Sequence, residues 1–182
     1  ILYPGSKVVA TAKRKKTIKL LITEKIEKEL MNLSPNLRRE IKKINTNNND
    51  VEVIFHNGSS FVVQPCNDDA RGARSTILIV DEFRQCDKTI IDAVFSPMEI
   101  QRQPQYLMNP KYEHLREEPR EIYLSSAYYK SHWMWQTVKD AIIGSYDGSS
   151  ICISMDYAIS VKSLTLYIVI YKANWAKSVE VK

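Results

Sequence analysis

The 182-residue chain is poor in the residues that build common metal, redox and phosphate sites: three cysteines, three histidines and five glycines. Cys66, Cys86 and Cys152 are odd in number, widely spaced and form no C-x-x-C pair. That argues against a disulfide framework and for reduced thiols in a cytosolic compartment. His56, His114 and His132 form neither H-E-x-x-H nor a Cys/His cluster, which argues against a structural zinc site. No apolar run approaches the ~20 residues needed to span a bilayer, and no signal peptide opens the chain. The phosphate-cradling loop G-x-x-x-x-G-K-[ST] is missing as well, since Gly5 and Lys7 lack its spacing. There are no internal repeats, and the only biased segment is the Asn-rich stretch 45–50.

What remains is a chain long enough for one domain with a real core, with charged (26%) and apolar (44%) fractions in the soluble globular range. Its 26 basic and 21 acidic residues leave a net charge of +5, which permits a polyanionic partner without demanding one. The organising stretch is Thr76-Ile77-Leu78-Ile79-Val80-Asp81-Glu82. An apolar run without polar alternation, rich in β-branched residues, reads as a strand buried on both faces and central in a parallel sheet. Carboxylates at the C-terminal edge of such a strand lie where open α/β sheets bind ligands. The string resembles the Walker B position of P-loop nucleoside-triphosphatases, a likeness that would place Asp81 to hold Mg²⁺, directly or through water, and Glu82 to polarise the water that attacks a γ-phosphate. The same string also describes a buried strand whose exit is capped by solvated acids.

Upstream, Pro4-Gly5 marks a turn before a short strand at Lys7–Thr11. Ile1 in place of Met, and a helix that reads as starting before it, lead us to expect further sequence upstream. Lys13-Arg14-Lys15-Lys16 either faces phosphates or is a solvated helix start. Ile18, Leu21, Ile22, Ile26 and Leu30 fall at helical spacing over Thr17–Leu33. Ser34-Pro35 starts a second, shorter helix with Leu37, Ile41 and Ile44 expected inward. Val51–Phe55 and Phe61–Gln64 flank Asn57-Gly58, which predicts an edge hairpin with a type I′ turn. The loop Pro65–Ser75 carries Arg71 and Arg74 around Gly72, and a guanidinium there could stabilise phosphoryl-transfer charge in this subunit or the next. Lys88–Phe95 reads as a helix, Ser96–Arg120 as helical turns and loop, and Glu121–Ala127 as a strand ending in small hydroxyl residues. Tyr128–Ile143 reads as a helix with Trp133, Trp135, Val138, Ile142 and Ile143 in the core; Ile151–Met155 is a strand, and Leu164–Tyr171 is β-prone with no assigned partner.

Three blocks, Gly58-Ser59-Ser60 with Asp69-Ala70-Arg71-Gly72-Ala73-Arg74, Ile77–Glu82, and Ile122-Tyr123-Leu124-Ser125-Ser126-Ala127, occur in an order that resembles the ATPase domain of phage large terminase subunits. The resemblance covers roughly residues 1–160 and leaves 161–182 unassigned. It implies an α/β fold: a P-loop NTPase-like (ASCE-type), mainly parallel sheet flanked by helices, with an edge β-hairpin and without the Walker A segment. It implies Glu82 and Arg71 as catalytic residues, Asp81 as the metal-associated acid, and Asp81, Ser125, Ser126 and Arg74 as nucleotide-binding residues. The cofactors would be ATP and Mg²⁺. The partners would be double-stranded DNA, a portal protein, a terminase small subunit and copies of the same chain in a ring, with no membrane, in the host cytoplasm. Lacking the phosphate loop, these residues alone are expected to bind ATP weakly or not at all. The family's C-terminal nuclease, with its acidic metal cluster, has no counterpart in these residues. A helicase-like ATPase and a non-catalytic nucleic-acid-binding or scaffold domain are the alternatives.

Overall fold

The computed structural model describes residues 3–47, 51–70, 72, 74–101, 105–126, 128–154 and 167–173. Among them, eight strands form one mixed sheet: β1 (Lys7–Ala12), β2 (Ile41–Thr46), β3 (Val51–Phe55), β4 (Ser60–Pro65), β5 (Ile77–Asp81), β6 (Arg120–Ser126), β7 (Ser150–Ser154) and β8 (Tyr167–Ala173). Their order is β2-β3-β4-β1-β5-β6-β8-β7. The central four, β4-β1-β5-β6, run parallel. Both wings are antiparallel, β2-β3-β4 on one side and β6-β8-β7 on the other. β5 is therefore an interior strand, between β1 and β6.

The apolar run of β5 is divided between two cores, as a strand covered on both faces requires. Leu78 and Val80 are fully buried on one face with Val9, Phe83, Phe95, Tyr123, Met134 and Val138. Ile79 packs on the other with Ala10, Ile22, Val53 and Val63. The first layer is closed by the helix Trp133–Asp147 and by the helical turns of Lys88–Ile90, Ile91–Phe95 and Ser96–Met98. The second is closed by a helical run through Lys15–Leu20, Leu21–Leu30 and Met31–Leu33. Its middle section, Leu21–Leu30, has π-type turns. These are wider than α-turns, so a four-residue stripe drifts around the axis. Ile22 is thus fully buried and Ile26 partly so, whereas Leu30, expected inward, is 45% exposed.

Three further expectations are corrected. Ser34 caps the short helix Pro35–Glu40, its Oγ accepting from Leu37 N–H at 3.3 Å, but the helix stops there and Ile41–Thr46 is strand β2. Ile41 and Ile44, three apart, mimic helical spacing because β2 has a bulge between Ile41 and Lys43. An inserted residue returns both side chains to one face, where they pack on the second core. The β3–β4 hairpin forms, but not with a I′ turn. Gly58 has φ 79° while Asn57 stays at negative φ, its side-chain Oδ1 instead accepting from Ser59 N–H at 3.0 Å. Finally, the last helix starts at Trp133 and buries Met134, Thr137, Val138, Ala141 and Gly144, so Ile142 and Ile143 lie on its outer face, Ile143 66% exposed.

Leu164–Tyr171 lies partly outside the described residues. From Tyr167 onward it is β8, which inserts between β6 and β7 and pairs antiparallel with both. Among the described residues no helix is long and apolar enough to cross a membrane.

Candidate functional site at the carboxyl edge of the sheet

Because β4, β1, β5 and β6 are parallel, their C-terminal ends share one edge. There the chain leaves β1 at Ala12-Lys13, β4 at Pro65-Cys66, β5 at Asp81-Glu82 and β6 at Ser126. Asp81 pairs in register with Leu124. Side chains alternate along a strand, so Ser126, two residues past Leu124, shares the Asp81 face. Ser125 goes with Tyr123 to the other face, where it is 2% exposed and its hydroxyl has no hydrogen-bond partner among the described residues.

Asp81 is half-buried, and its Oδ1 accepts from Glu82 N–H at 3.0 Å. Burial pushes its carboxyl above the ordinary value; the Glu82 amide opposes this and the Glu82 charge adds to it. No cation pairs with it among the described residues, so this carboxylate sits where a cation would be welcome. Glu82 follows with φ 47°, ψ 46°, the only non-glycine at positive φ among the described residues. Left-handed backbone costs a side-chain-bearing residue roughly 1–2 kcal/mol. It persists because the chain on either side is fixed: Phe83 is fully buried, and Gln85 N–H donates to Glu82 C=O at 2.8 Å. The turn sends the Glu82 side chain to Arg84, whose Nε meets Oε2 at 2.9 Å.

Arg84 stacks over Tyr128, 5.3 Å from the ring centroid, and Tyr128 is held by Trp135 Nε1 donating to its carbonyl at 2.9 Å. His132 caps the following helix, its Nδ1 accepting from Met134 N–H at 3.3 Å. Lys13, Arg84, Gln85, Tyr128 and His132 line an open groove of about 400 Å³ beside Glu82. Sequence reading singled out none of these except Lys13, as part of the basic run. The available signal was Arg84 two residues after an acid on the same loop.

Of the expected site residues, Asp81, Glu82 and Ser126 come to this edge on one face, whereas Ser125, expected beside them, is turned into the core on the opposite face. Arg71 lies outside the described residues, as does Ala127. Arg74 is exposed and is not part of the cluster. It precedes Thr76, whose N–H donates to Lys7 C=O at 2.8 Å, at the amino end of β1. The length of β5, roughly 13 Å at 3.3 Å per step, separates it from Asp81, so within one chain its guanidinium cannot serve a ligand there.

For the Mg²⁺-ATP implied by the resemblance, the residues fit in part. A half-buried, unpaired carboxylate suits Mg²⁺, which takes one or two protein carboxylates and completes its shell with water and phosphate oxygens. No group of three or more His, Cys, Asp or Glu among the described residues forms a fuller metal cage. These 182 residues contain no glycine-lysine loop of the G-x-x-x-x-G-K-[ST] form to cradle the triphosphate.

The strained turn yields a test that needs no ligand. Glu82→Ala and Glu82→Gly both remove the carboxylate and the Arg84 contact, so their difference reports the backbone alone. We expect the glycine variant to be more stable than the alanine variant by about 1 kcal/mol in urea unfolding, the reverse of the usual order.

No known family's sequence model matches the chain, and no curated protein sequence matches it. Among solved structures it is similar to the large terminase ATPase domain of Thermus phage P74-26, with a TM-score of 0.43 and 15% identity, over 63% of this chain and 53% of that one. It is also similar to the large terminase of another thermophilic bacteriophage, with a TM-score of 0.40 and 10% identity, over 54% of this chain and 24% of that one. The chain thus spans about half of the first protein's length and a quarter of the second's.

Proposed function

We propose that this chain is the catalytic-strand portion of a phage large-terminase ATPase, part of a motor that couples Mg²⁺-ATP hydrolysis to movement of double-stranded DNA into a procapsid. The observation that supports this best is the placement of Asp81 and Ser126 on one face, at the carboxyl ends of two adjacent interior strands, with Glu82 directly following. Bound Mg²⁺ would neutralise charge on the phosphates during transfer. Asp81 would supply its carboxylate ligand. Glu82 would orient a water and take its proton, with Arg84 fixing which carboxylate oxygen is presented. Ser126 would hydrogen-bond at the same rim. The triphosphate cradle has to come from residues other than these, and Arg71 would act on a neighbouring subunit's nucleotide. The working partners would be DNA, a portal protein, a small subunit and further copies in a ring, in the host cytoplasm.

Metal binding at Asp81 tests the first step. Mn²⁺ at millimolar concentration is expected to broaden the amide resonances of Asp81, Glu82 and Ser126 selectively, and Asp81→Asn to weaken the effect about tenfold or more. Broadening spread over other surface acids, or unchanged in the variant, would remove the reading's main support. The same variant should melt slightly higher without metal. The folded carboxyl is raised above its ordinary 3.8. It therefore favours folding below that pH, and the benefit is lost as pH rises through the folded value, which leaves the neutral-pH carboxylate a net cost.

A further inference from the structure

Beside the carboxylate edge, two cysteines far apart in sequence meet. Cys66 lies just past β4, its N–H donating to Ala12 C=O at 2.9 Å. Cys86 closes the turn after Glu82, its N–H donating to Phe83 C=O at 3.0 Å. Both thiols are free, and Cys66 packs against the core cluster that contains Cys86, where each thiol is the first influence on the other's acidity. Cys86 is 5% exposed, whereas Cys66 is partly exposed at the rim of the same core.

We propose that Cys66 and Cys86 form a reversible dithiol–disulfide pair that crosslinks the end of β4 to the turn carrying Glu82, with a low-molecular-weight disulfide as oxidant. The asymmetry in access sets the order of steps. The Cys66 thiolate attacks one sulfur of the oxidant, forming a mixed disulfide and expelling one thiolate. Cys86 then loses its proton and attacks the Cys66 sulfur, expelling the second thiolate. Two protein thiols are oxidised, one external disulfide is reduced to two thiols, and excess external thiol reverses both steps. Cys86 beside it holds the Cys66 thiol below its ordinary value, which favours Cys66 as the attacking group, whereas Cys66 and burial hold the Cys86 thiol above its own, which suits it to the second, resolving step. Oxidation would pin the Phe83–Cys86 turn, and with it Glu82 and Arg84, to the end of β4, on the far side of β1. A thiol pair kept reduced in a reducing compartment would respond there only to oxidative conditions.

The test treats the reduced, folded chain with oxidised glutathione, alkylates the remaining thiols in denaturant, and maps peptides without reductant. The expected product links the Cys66 and Cys86 peptides, leaves Cys152 alkylated, and reverts with dithiothreitol. The link should form at least about tenfold faster in the folded chain than in urea, because folding raises the effective concentration of one sulfur at the other. In Cys86→Ser, glutathione should instead accumulate on Cys66, because the resolving sulfur is gone. Wild-type chain that keeps three free thiols, retains glutathione on Cys66 with Cys86 alkylated, or crosslinks equally fast in urea would overturn the proposal, whether or not the variant folds.

Discussion

Phe83→Ala is expected to cost about 3–5 kcal/mol of stability, which for a chain of this size lowers the thermal midpoint by about 10 °C. Phe83 is fully buried directly after Glu82. Its ring meets Tyr123 edge-on at 5.4 Å and Trp133 at 5.5 Å, so it joins β6, the last helix and the Glu82 turn in one cluster. Truncation removes the transfer free energy of the ring, leaves a cavity between three rigid elements, and forfeits two aromatic contacts worth about 0.5–1.5 kcal/mol each. Phe83→Leu keeps most of the volume and should cost less than about 2 kcal/mol. Urea unfolding of both variants measures the difference. A near-equal cost would mean that the ring's edge-on contacts and bulk do not hold the turn, and the account of Glu82's strained backbone would lose its anchor.

The features legible in the sequence were those set by neighbours along the chain. The β5 run announced itself because four apolar residues between polar ends have few other uses, and Asn57-Gly58 marked the hairpin correctly even though the turn type differs. What escaped was set by contacts across the fold. Ile41 and Ile44 carried a helical spacing that a bulge converted into a strand face, which no local pattern encodes. The phase of the last helix was misjudged because small residues, Ala141 and Gly144, take the buried positions and leave larger Ile142 and Ile143 outside. Gly144 is required there: a Cβ would come within 2.3 Å of Ser150 Oγ. β8 had no visible partner because it inserts between β7 and β6, and its pairing with β6 joins residues about forty to fifty positions apart.

The site divides in the same way. Asp81, Glu82 and the serines follow from where two parallel strands end, so strand assignment alone brought them together. Three features do not follow from it: the positive φ of Glu82, the Arg84 contact, and the split of Ser125 and Ser126 between opposite faces. The first arises because the buried Phe83 dictates the turn, and glutamate has no preference that would reveal it. Arg74 was linked to the site as a guanidinium on the loop that runs into β5. A parallel β4-to-β5 crossover must travel from the carboxyl edge to the amino edge, so residues just before β5 are necessarily at the wrong end.

Under the proposed function, Glu82→Gln should lower ATP turnover of the native motor by about 10²–10³-fold, as expected for loss of a general base, with little change in stability. The substitution preserves size and can keep a hydrogen bond to Arg84, so the turn should hold its shape while the proton acceptor disappears. The Arg84–Glu82 pair is partly exposed, with side chains 27% and 32% accessible, so losing its charge removes only about 0.2–1 kcal/mol. Nucleotide affinity should change little, since Glu82 acts on the attacking water and not on the ground-state phosphates. Single-turnover kinetics separate these quantities. Turnover within about twofold of wild type, with the variant folded, would favour the non-catalytic alternative in which Asp81 and Glu82 merely cap a buried strand. A loss of affinity matching the loss of rate would instead place Glu82 in binding, and the geometry that sends its carboxylate toward Arg84 and the Lys13–His132 groove would then describe a recognition site.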